Sequence, residues 1–350
     1  MNQPFVSVVM PCANEIDFIS KSLGSLLRTE YPMHRLEILV VLDSYSDDGT
    51  RAVVKQLHEV HSQIRLVENP YRIVPVAMNI GIRAAKGEII VRVDAHTEYP
   101  PEYICKCVEY LEKTDAWCVG GPFYNVPATN TLMAKVISAV LSCPFLVADA
   151  RFRTKQKPMY VETVPYGAFR REVFDRVGFY DERLTRHQDF ELCRRISRAG
   201  GKIFLTPEIK NYYYPRKTLR AFLRMAVQNG YWDAVSTGLC PHSFAWRHFV
   251  PGPFFLGTVA GIGCVVIGAA TGDPVWFLGA APVALYFGLA CFFSASLCRM
   301  HRFGVAAFSL IPFVCFLFHF WFGFGLIKGL AQWLCIRWPR ERSERGTNTD

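Results

Sequence analysis

Asp94 and His96 stand one residue apart where the apolar run EIIVRV (88–93) stops. A carboxylate and an imidazole at that spacing, leaving a strand, can turn into one pocket where the strand's pairing frays. Both are ligands for Mn2+, and the carboxylate also suits Mg2+. A divalent ion held there can neutralise a pyrophosphate. The chain has neither a glycine-rich P-loop nor a GxGxxG, so it does not cradle a nucleotide phosphate in either of those ways.

The elements that must position this pair follow from the hydrophobic pattern. FVSVVMP (5–11) is a β-branched run ended by proline, hence a strand. Residues 17–30 place Phe18, Ile19, Leu23, Leu26 and Leu27 at helical spacing. LEILVVLD (36–43) is a second buried strand, and SYSDDGT (44–50) a turn in which Asp48 or Thr50 caps the next helix, 52–60. IRLVEN (64–69) is a third strand, 74–85 a helix ended by Gly87, and 88–94 a fourth strand. Strands that are apolar throughout and alternate with helices predict an α/β fold on a parallel sheet. Ligands of such sheets bind at the carboxyl ends of the strands. Four ends carry polar residues here: Asn14 and Glu15, Asp43, Asn69, then Asp94 and His96. Any one of them reads as a turn residue; four at one edge outline a site.

The chain is 51% apolar, and that excess sits mainly in residues 249–336, where charges nearly vanish. Residues 250–271 and 274–297 are each long enough to cross a bilayer, which takes about 20 residues, and TGDP between them makes a hairpin. A third block, 303–336, is interrupted by Lys328 and by glycines at 323, 325 and 329; it reads as a span followed by an interfacial helix, or as a re-entrant pair. Arg247 and His248 precede the first span and CRMHR (298–302) follows the second, so the positive-inside rule puts the N-terminal region in the cytoplasm. MNQPFVSVVMP shows no secretory signal pattern. The twelve cysteines are scattered without a C-x-x-C pair and read as reduced thiols. A net charge of +9 without a nucleic-acid motif points to an anionic membrane surface and phosphate-bearing substrates, not to nucleic acid.

VSVVMPCANE, ILVVLDSYSDDGT and GEIIVRVDAH, followed by YGAFRREVFDRVGFYDERLTRHQDFELCRRISRAGG, resemble the family 2 glycosyltransferases with a GT-A fold. RVDAH, NPYRIVPVAMNIGI and YYYPRKTL are most similar to the ExoA-like branch, which builds lipid-linked exopolysaccharide units. The resemblance covers about residues 5–235. It implies a Rossmann-like, nucleotide-diphospho-sugar transferase domain at 1–235, with a nucleotide half at about 1–125 and an acceptor half at about 126–215. Residues 216–235 are expected to form a basic amphipathic helix in the membrane interface. A membrane domain at 249–336 and a basic tail at 337–350 would follow. The apolar helix at 131–148 either flanks the acceptor site or is core.

The same resemblance assigns roles. Asp43 matches the acid that reads uracil, Glu15 the acid near the nucleoside, and Asp94 the first acid of a D-x-D that contacts ribose or metal. His96 stands in place of the second acid. Asp189 matches the general base, and its place at the start of a helix suits a carboxylate. Gln188 replaces the acid before it, and Glu191 is expected to orient a group in the acceptor site. Pro11, Asn14, Arg72, Asn79 and Gly167 fall in the matching motifs as substrate-binding positions. QNGYW keeps the Gln228 and Trp232 of a Q-x-x-R-W motif but has Tyr231 for its arginine, which favours single transfer over processive synthesis; Arg216 or Arg224 would supply the cation. The expected activity is inverting, Mn2+- or Mg2+-dependent transfer of one sugar from a UDP-sugar to a polyprenyl-(pyro)phosphate-linked saccharide, at the cytosolic face of the inner membrane. A polyprenyl-phosphate sugar synthase and a non-catalytic membrane scaffold are the alternatives.

Overall fold

The computed structural model describes residues 3–148, 150–154, 157–241 and 246–345. The chain begins β1 (Val6–Cys12), α1 (Ile19–Leu27), β2 (Leu36–Asp43), α2 (Thr50–Val60), β3 (Ile64–Asn69), α3 (Val74–Ala84), β4 (Ile89–Arg92), α4 (Tyr103–Lys113), β5 (Ala116–Gly120) and β6 (Phe123–Asn125). It continues with α5 (Leu132–Val140), α6 (Pro144–Val147), α7 (Arg151–Thr154), β7 (Met159–Tyr160), β8 (Ala168–Arg170), α8 (Glu172–Val177), α9 (Gln188–Arg198), β9 (Lys202–Leu205) and β10 (Asn211–Tyr213). Four long helices close it: α10 (Leu219–Leu239), α11 (Pro251–Thr271), α12 (Ala281–His301) and α13 (Val305–Arg345). Two compact units result, one of residues 1–124 with 151–213, the other of 125–150 with 214–350.

The first unit is built on a sheet in the order β3-β2-β1-β4-β8-β5-β9-β7. Its first four strands are parallel, as the apolar strand pattern predicts. The second half is mixed, because β8 pairs antiparallel with both β4 and β5. β1 and β2 are apolar nearly throughout because helices cover both faces, and the core divides accordingly into two layers. β4 is shorter than the apolar run suggests. The Val93 amide makes the last ladder bond, to the Val9 carbonyl (3.1 Å), and the Asp94 amide leaves the ladder to donate to the Tyr99 hydroxyl (2.8 Å), so pairing stops at the acid.

Among its described residues the second unit holds three helices long and apolar enough to cross a membrane: 251–271, 274–301 and 305–335. α13 runs through Lys328 and its glycines without a break, so the re-entrant pair is not what this block forms. Residues 346–350 of the basic tail lie outside the described residues. The helix expected in the membrane interface, α10, packs lengthwise on α13. A Cβ on Gly230 would fall 2.0 Å from the Phe322 carbonyl oxygen, and one on Gly325 2.1 Å from that of Val227. Small residues allow this approach, and the stacked rings of Phe222 and Phe318 (4.9 Å) close it. The apolar segment at 131–148 belongs to this unit.

Candidate active site

In the first unit the parallel strands β1, β2, β3 and β4 deliver their carboxyl ends to one edge. After β1, Asn14 adopts a left-handed backbone (φ 53°). Its side-chain carbonyl accepts from the Ser46 hydroxyl and the Asp47 amide (3.1 Å each), which ties the β1 loop to the β2 loop. The Glu15 amide donates to Thr50 Oγ1 (2.9 Å), leaving its carboxylate to meet His96 Nδ1 at 3.0 Å. Asp43 ends β2 nearly buried and accepts from the Tyr45 amide (2.9 Å). The exposed Tyr45 ring lies under the Arg72 guanidinium at 4.3 Å. Asn69 closes the β3 end by accepting from the Tyr71 amide (3.0 Å). Asp48, not Thr50, supplies the acceptor at the start of α2, taking the amide and hydroxyl of Thr50 at 3.0 and 2.6 Å.

The residue that organises the centre is Arg92, the last of β4. Its side chain is 7% exposed and lies 3.3 Å from Asp94 Oδ1, and its other terminal nitrogen forms an ion pair with Asp189 Oδ1. Burial opposes the guanidinium's charge, but the carboxylates of Asp189 and Asp94 outweigh it and hold the pKa above the ordinary arginine value. The Arg92 amide donates to the Gly167 carbonyl (3.0 Å), so β8 and its approach set the height of this arginine. A Cβ at Gly167 would lie 2.7 Å from the Phe169 ring and 2.8 Å from Cys118 Sγ, which reserves the position for glycine. Before it, Tyr166 sits at φ 50° with its ring 5.7 Å from the Arg92 guanidinium. The strain of a non-glycine residue there costs roughly 1–3 kcal/mol and is characteristic of functional sites.

Asp189 lies in the first turn of α9, where the helix dipole favours a carboxylate. Its side chain is 31% exposed, so one face remains open to a reactant. Gln188 is nearly buried and its Oε1 has no hydrogen-bond partner among the described residues. Glu191 is held by Arg195: both its oxygens bind that guanidinium at 2.7 Å, and Arg195 in turn caps the carbonyls of Val177 (2.5 Å) and Phe179 (2.7 Å). Asn79 is likewise committed inside the protein. Its amide donates to the Tyr180 carbonyl (2.9 Å) and to Glu182 (2.8 Å), and its oxygen accepts from the Tyr180 amide (2.9 Å). It fixes the loop that leads toward α9. Pro11 is in β1, in register with Val41. Arg216, Gln228 and Trp232 belong to the second unit, Arg216 exposed before α10 and the other two on it.

Sequence reasoning passed over Arg92, Tyr45 and Tyr166. Only Arg92 carried a signal, a charged residue in the middle of an apolar run.

Among the described residues no group of three His, Cys, Asp or Glu side chains is arranged to hold a metal. Asp94 and His96 offer one carboxylate and one imidazole, with Glu15 against the ring. Such a partial set suits Mg2+ or Mn2+ only when phosphate oxygens and waters complete the shell.

Residues 7–178 match the family described as Glycosyl transferase family 2. Over 214 residues the chain is 28% identical to the succinoglycan biosynthesis protein ExoA of Rhizobium meliloti (strain 1021), covering 61% of this chain and 64% of that one, just under two thirds of its length. It is 27% identical over 234 residues to a dolichyl N-acetyl-alpha-D-glucosaminyl phosphate 3-beta-D-2,3-diacetamido-2,3-dideoxy-beta-D-glucuronosyltransferase of Methanococcus voltae, covering 65% and 72% of the two chains. In structure it is similar to the mannosyltransferase PcManGT of Pyrobaculum calidifontis, solved with GDP-Man and Mn2+ (TM-score 0.57, 20% identity, 94% and 88% of the two chains). It is also similar to S. aureus TarS 1-349 in complex with UDP-GlcNAc (TM-score 0.52, 14% identity, 92% and 90%). At these identities the structural likeness is one of fold, the GT-A arrangement. The segment from β1 to α8 is thus a glycosyltransferase family 2 domain.

Proposed function

We propose that this chain transfers one sugar, with inversion, from a nucleoside-diphosphate sugar (a UDP-sugar by the Asp43 assignment) to a hydroxyl of a polyprenyl-(pyro)phosphate-linked saccharide. The observation that carries the reading is the Asp94–Arg92–Asp189 chain. One buried guanidinium links the acid at the β4 end, on the nucleotide side, to an acid with an open face at the start of α9. Asp189 accepts the acceptor's proton as its oxygen attacks the anomeric carbon, and the nucleoside diphosphate leaves. A base so placed contributes about 10²–10⁴ to the rate. Asp43 and Glu15 hold the nucleoside, with Tyr45 and Arg72 beside them at the sheet edge. Asp94 and His96 would hold the divalent ion, which when bound would neutralise the leaving diphosphate. The Mn2+ in the mannosyltransferase complex supports that assignment by analogy of fold, and its GDP-Man keeps the donor base open to test.

The apolar helices support a multi-pass protein of the cytoplasmic membrane, and the basic residues flanking them support a cytosolic catalytic unit. An acceptor hydroxyl is preferred to the acceptor phosphate of a polyprenyl-phosphate sugar synthase because a phosphate needs no general base and Asp189 is present. Detergent-purified protein incubated with UDP- and GDP-sugars, a polyprenyl-diphosphate-linked sugar, and Mn2+, Mg2+ or chelator tests the proposal. Metal-dependent nucleotide release with a one-sugar mass gain, lost in Asp189→Asn, is the expected result. Retained anomeric configuration, or full activity in Asp189→Asn, would overturn the mechanism; no nucleotide binding under any condition would favour the scaffold.

A further inference from the structure

Arg92 has two carboxylates for its one charge; a second arginine of the same unit has none among the described residues. Arg153, in α7, is packed among three rings, its guanidinium 5.1 Å from the centre of Phe123 and 5.4 Å from those of Phe152 and Tyr213. Its Nη1 is buried without a hydrogen-bond partner. Among the described residues no carboxylate lies within ion-pairing reach of it, whereas the buried Arg92 of the same unit is paired twice. Burial pushes the guanidinium below the ordinary arginine range, and Tyr213 and Tyr166 offset that only in part.

The rings connect this residue to the candidate active site. Phe123 stacks on Tyr213 at 4.7 Å and meets Tyr166 edge-on at 5.3 Å, and Tyr166 is the strained residue whose ring faces Arg92. Cation–π contacts hold a guanidinium in place, but they do not neutralise it. A buried cation without a counter-charge is costly unless an anion arrives to pair with it. The planar fork matches phosphate oxygens in a bidentate manner.

We propose that Arg153 binds a diphosphate. The inference rests on the transferase reading above, and two substrates carry that group: the nucleotide donor and a diphosphate-linked acceptor.

Arg153→Met tests it on the full-length, detergent-purified protein. A thioether of similar length packs well among aromatic rings, and replacing a buried charge by an apolar residue is often neutral or stabilising. The variant is therefore expected to melt at or above the parent's midpoint. If the donor supplies the group, its affinity for UDP and GDP falls about tenfold or more, the loss of a charge-assisted contact. If the acceptor supplies it, nucleotide affinity stays and the KM for a polyprenyl-diphosphate-linked sugar rises about tenfold, while that for a monophosphate-linked sugar does not. A lower melting midpoint with both affinities unchanged makes Arg153 a packing residue and overturns the proposal. Arg153→Lys keeps the charge but loses the fork; it is expected to weaken the same affinity at least about threefold, and parent-like affinity there overturns the proposal even if the Met variant does not fold. A parent that binds neither UDP nor GDP overturns the transferase reading and this role together.

Discussion

Arg92, the last residue of β4, and Asp189, in the first turn of α9, form an ion pair, and the same guanidinium stands 3.3 Å from Asp94. One buried cation thus sets the distance between the donor-side acid and the candidate base. Removing it leaves two carboxylates facing each other without compensation. Breaking such a pair costs about 3–5 kcal/mol, so Arg92→Gln is expected to lower the melting midpoint well beyond Asp189→Asn. In the double variant the two effects should fall short of their sum by about 1–3 kcal/mol, the coupling of residues in one network. Strict additivity in denaturant titrations would show that the pair does not act as a unit.

Glu191 gives a prediction of the opposite kind. Its carboxylate is spent on Arg195, which holds the carbonyls that end α8 and lead into the loop toward α9. Glu191→Gln should therefore destabilise by about 1–3 kcal/mol, as for a buried charged hydrogen bond, and leave the acceptor KM unchanged once protein is normalised to the folded fraction. A rise in acceptor KM without loss of stability would restore the acceptor-site role that the sequence suggests.

The contrast between Asp189 and Glu191 shows where the sequence is legible. The strand ends could be read because parallel strands leave unbroken apolar runs and the polar residues that follow are few. The pairing of Glu191 with Arg195 was also readable, since an acid four residues before an arginine on a helix is a standing signal. The pairing of Arg92 was not, although its charge within an apolar run was visible: its partner Asp189 comes from the far side of a topology that depends on β8. That strand is three residues long, too short to show any period. The packing of α10 was not readable either: its glycines face another helix, α13, and sequence period alone cannot distinguish a helix partner from a lipid surface.

Glu37 supplies a pH-dependent prediction. It lies within the apolar second strand, buried, and accepts from Ser7 Oγ (2.6 Å), the Lys86 amide (2.6 Å) and Arg65 (2.5 Å). Burial alone would raise its pKa, but these three partners outweigh it and leave the carboxyl below the ordinary glutamate value. A carboxylate depressed in the folded state stabilises above its unfolded pKa of about 4.3, and that contribution is lost as pH falls through the folded value. Melting midpoints taken from pH 7 to pH 3 should show Glu37→Gln less stable than the parent near neutrality, with the gap closing below about pH 4. A constant gap across that range would mean that Glu37 is not ionised in the folded protein.

The second unit can be tested apart from the first. At the crossing of α10 and α13, the space beside Gly230 is filled by the Phe322 carbonyl, so even one methyl group meets backbone, which cannot swing aside as a side chain can. Gly230→Ala should therefore force the two helices apart, despite alanine's better helix propensity, worth about 1 kcal/mol in an open helix. The net result is expected to be a lower melting midpoint in detergent, with Gly230→Leu worse than Gly230→Ala. Gly263, on α11, has nothing within 4 Å of its would-be Cβ, and Gly263→Ala should leave the midpoint unchanged or raise it. Nucleotide affinity should hold in all three variants, because every nucleotide-side residue assigned above is in the first unit. Loss of nucleotide binding in folded Gly230→Ala would mean that α10 contributes to the donor site, and Gln228 and Trp232 would then be the residues to substitute next.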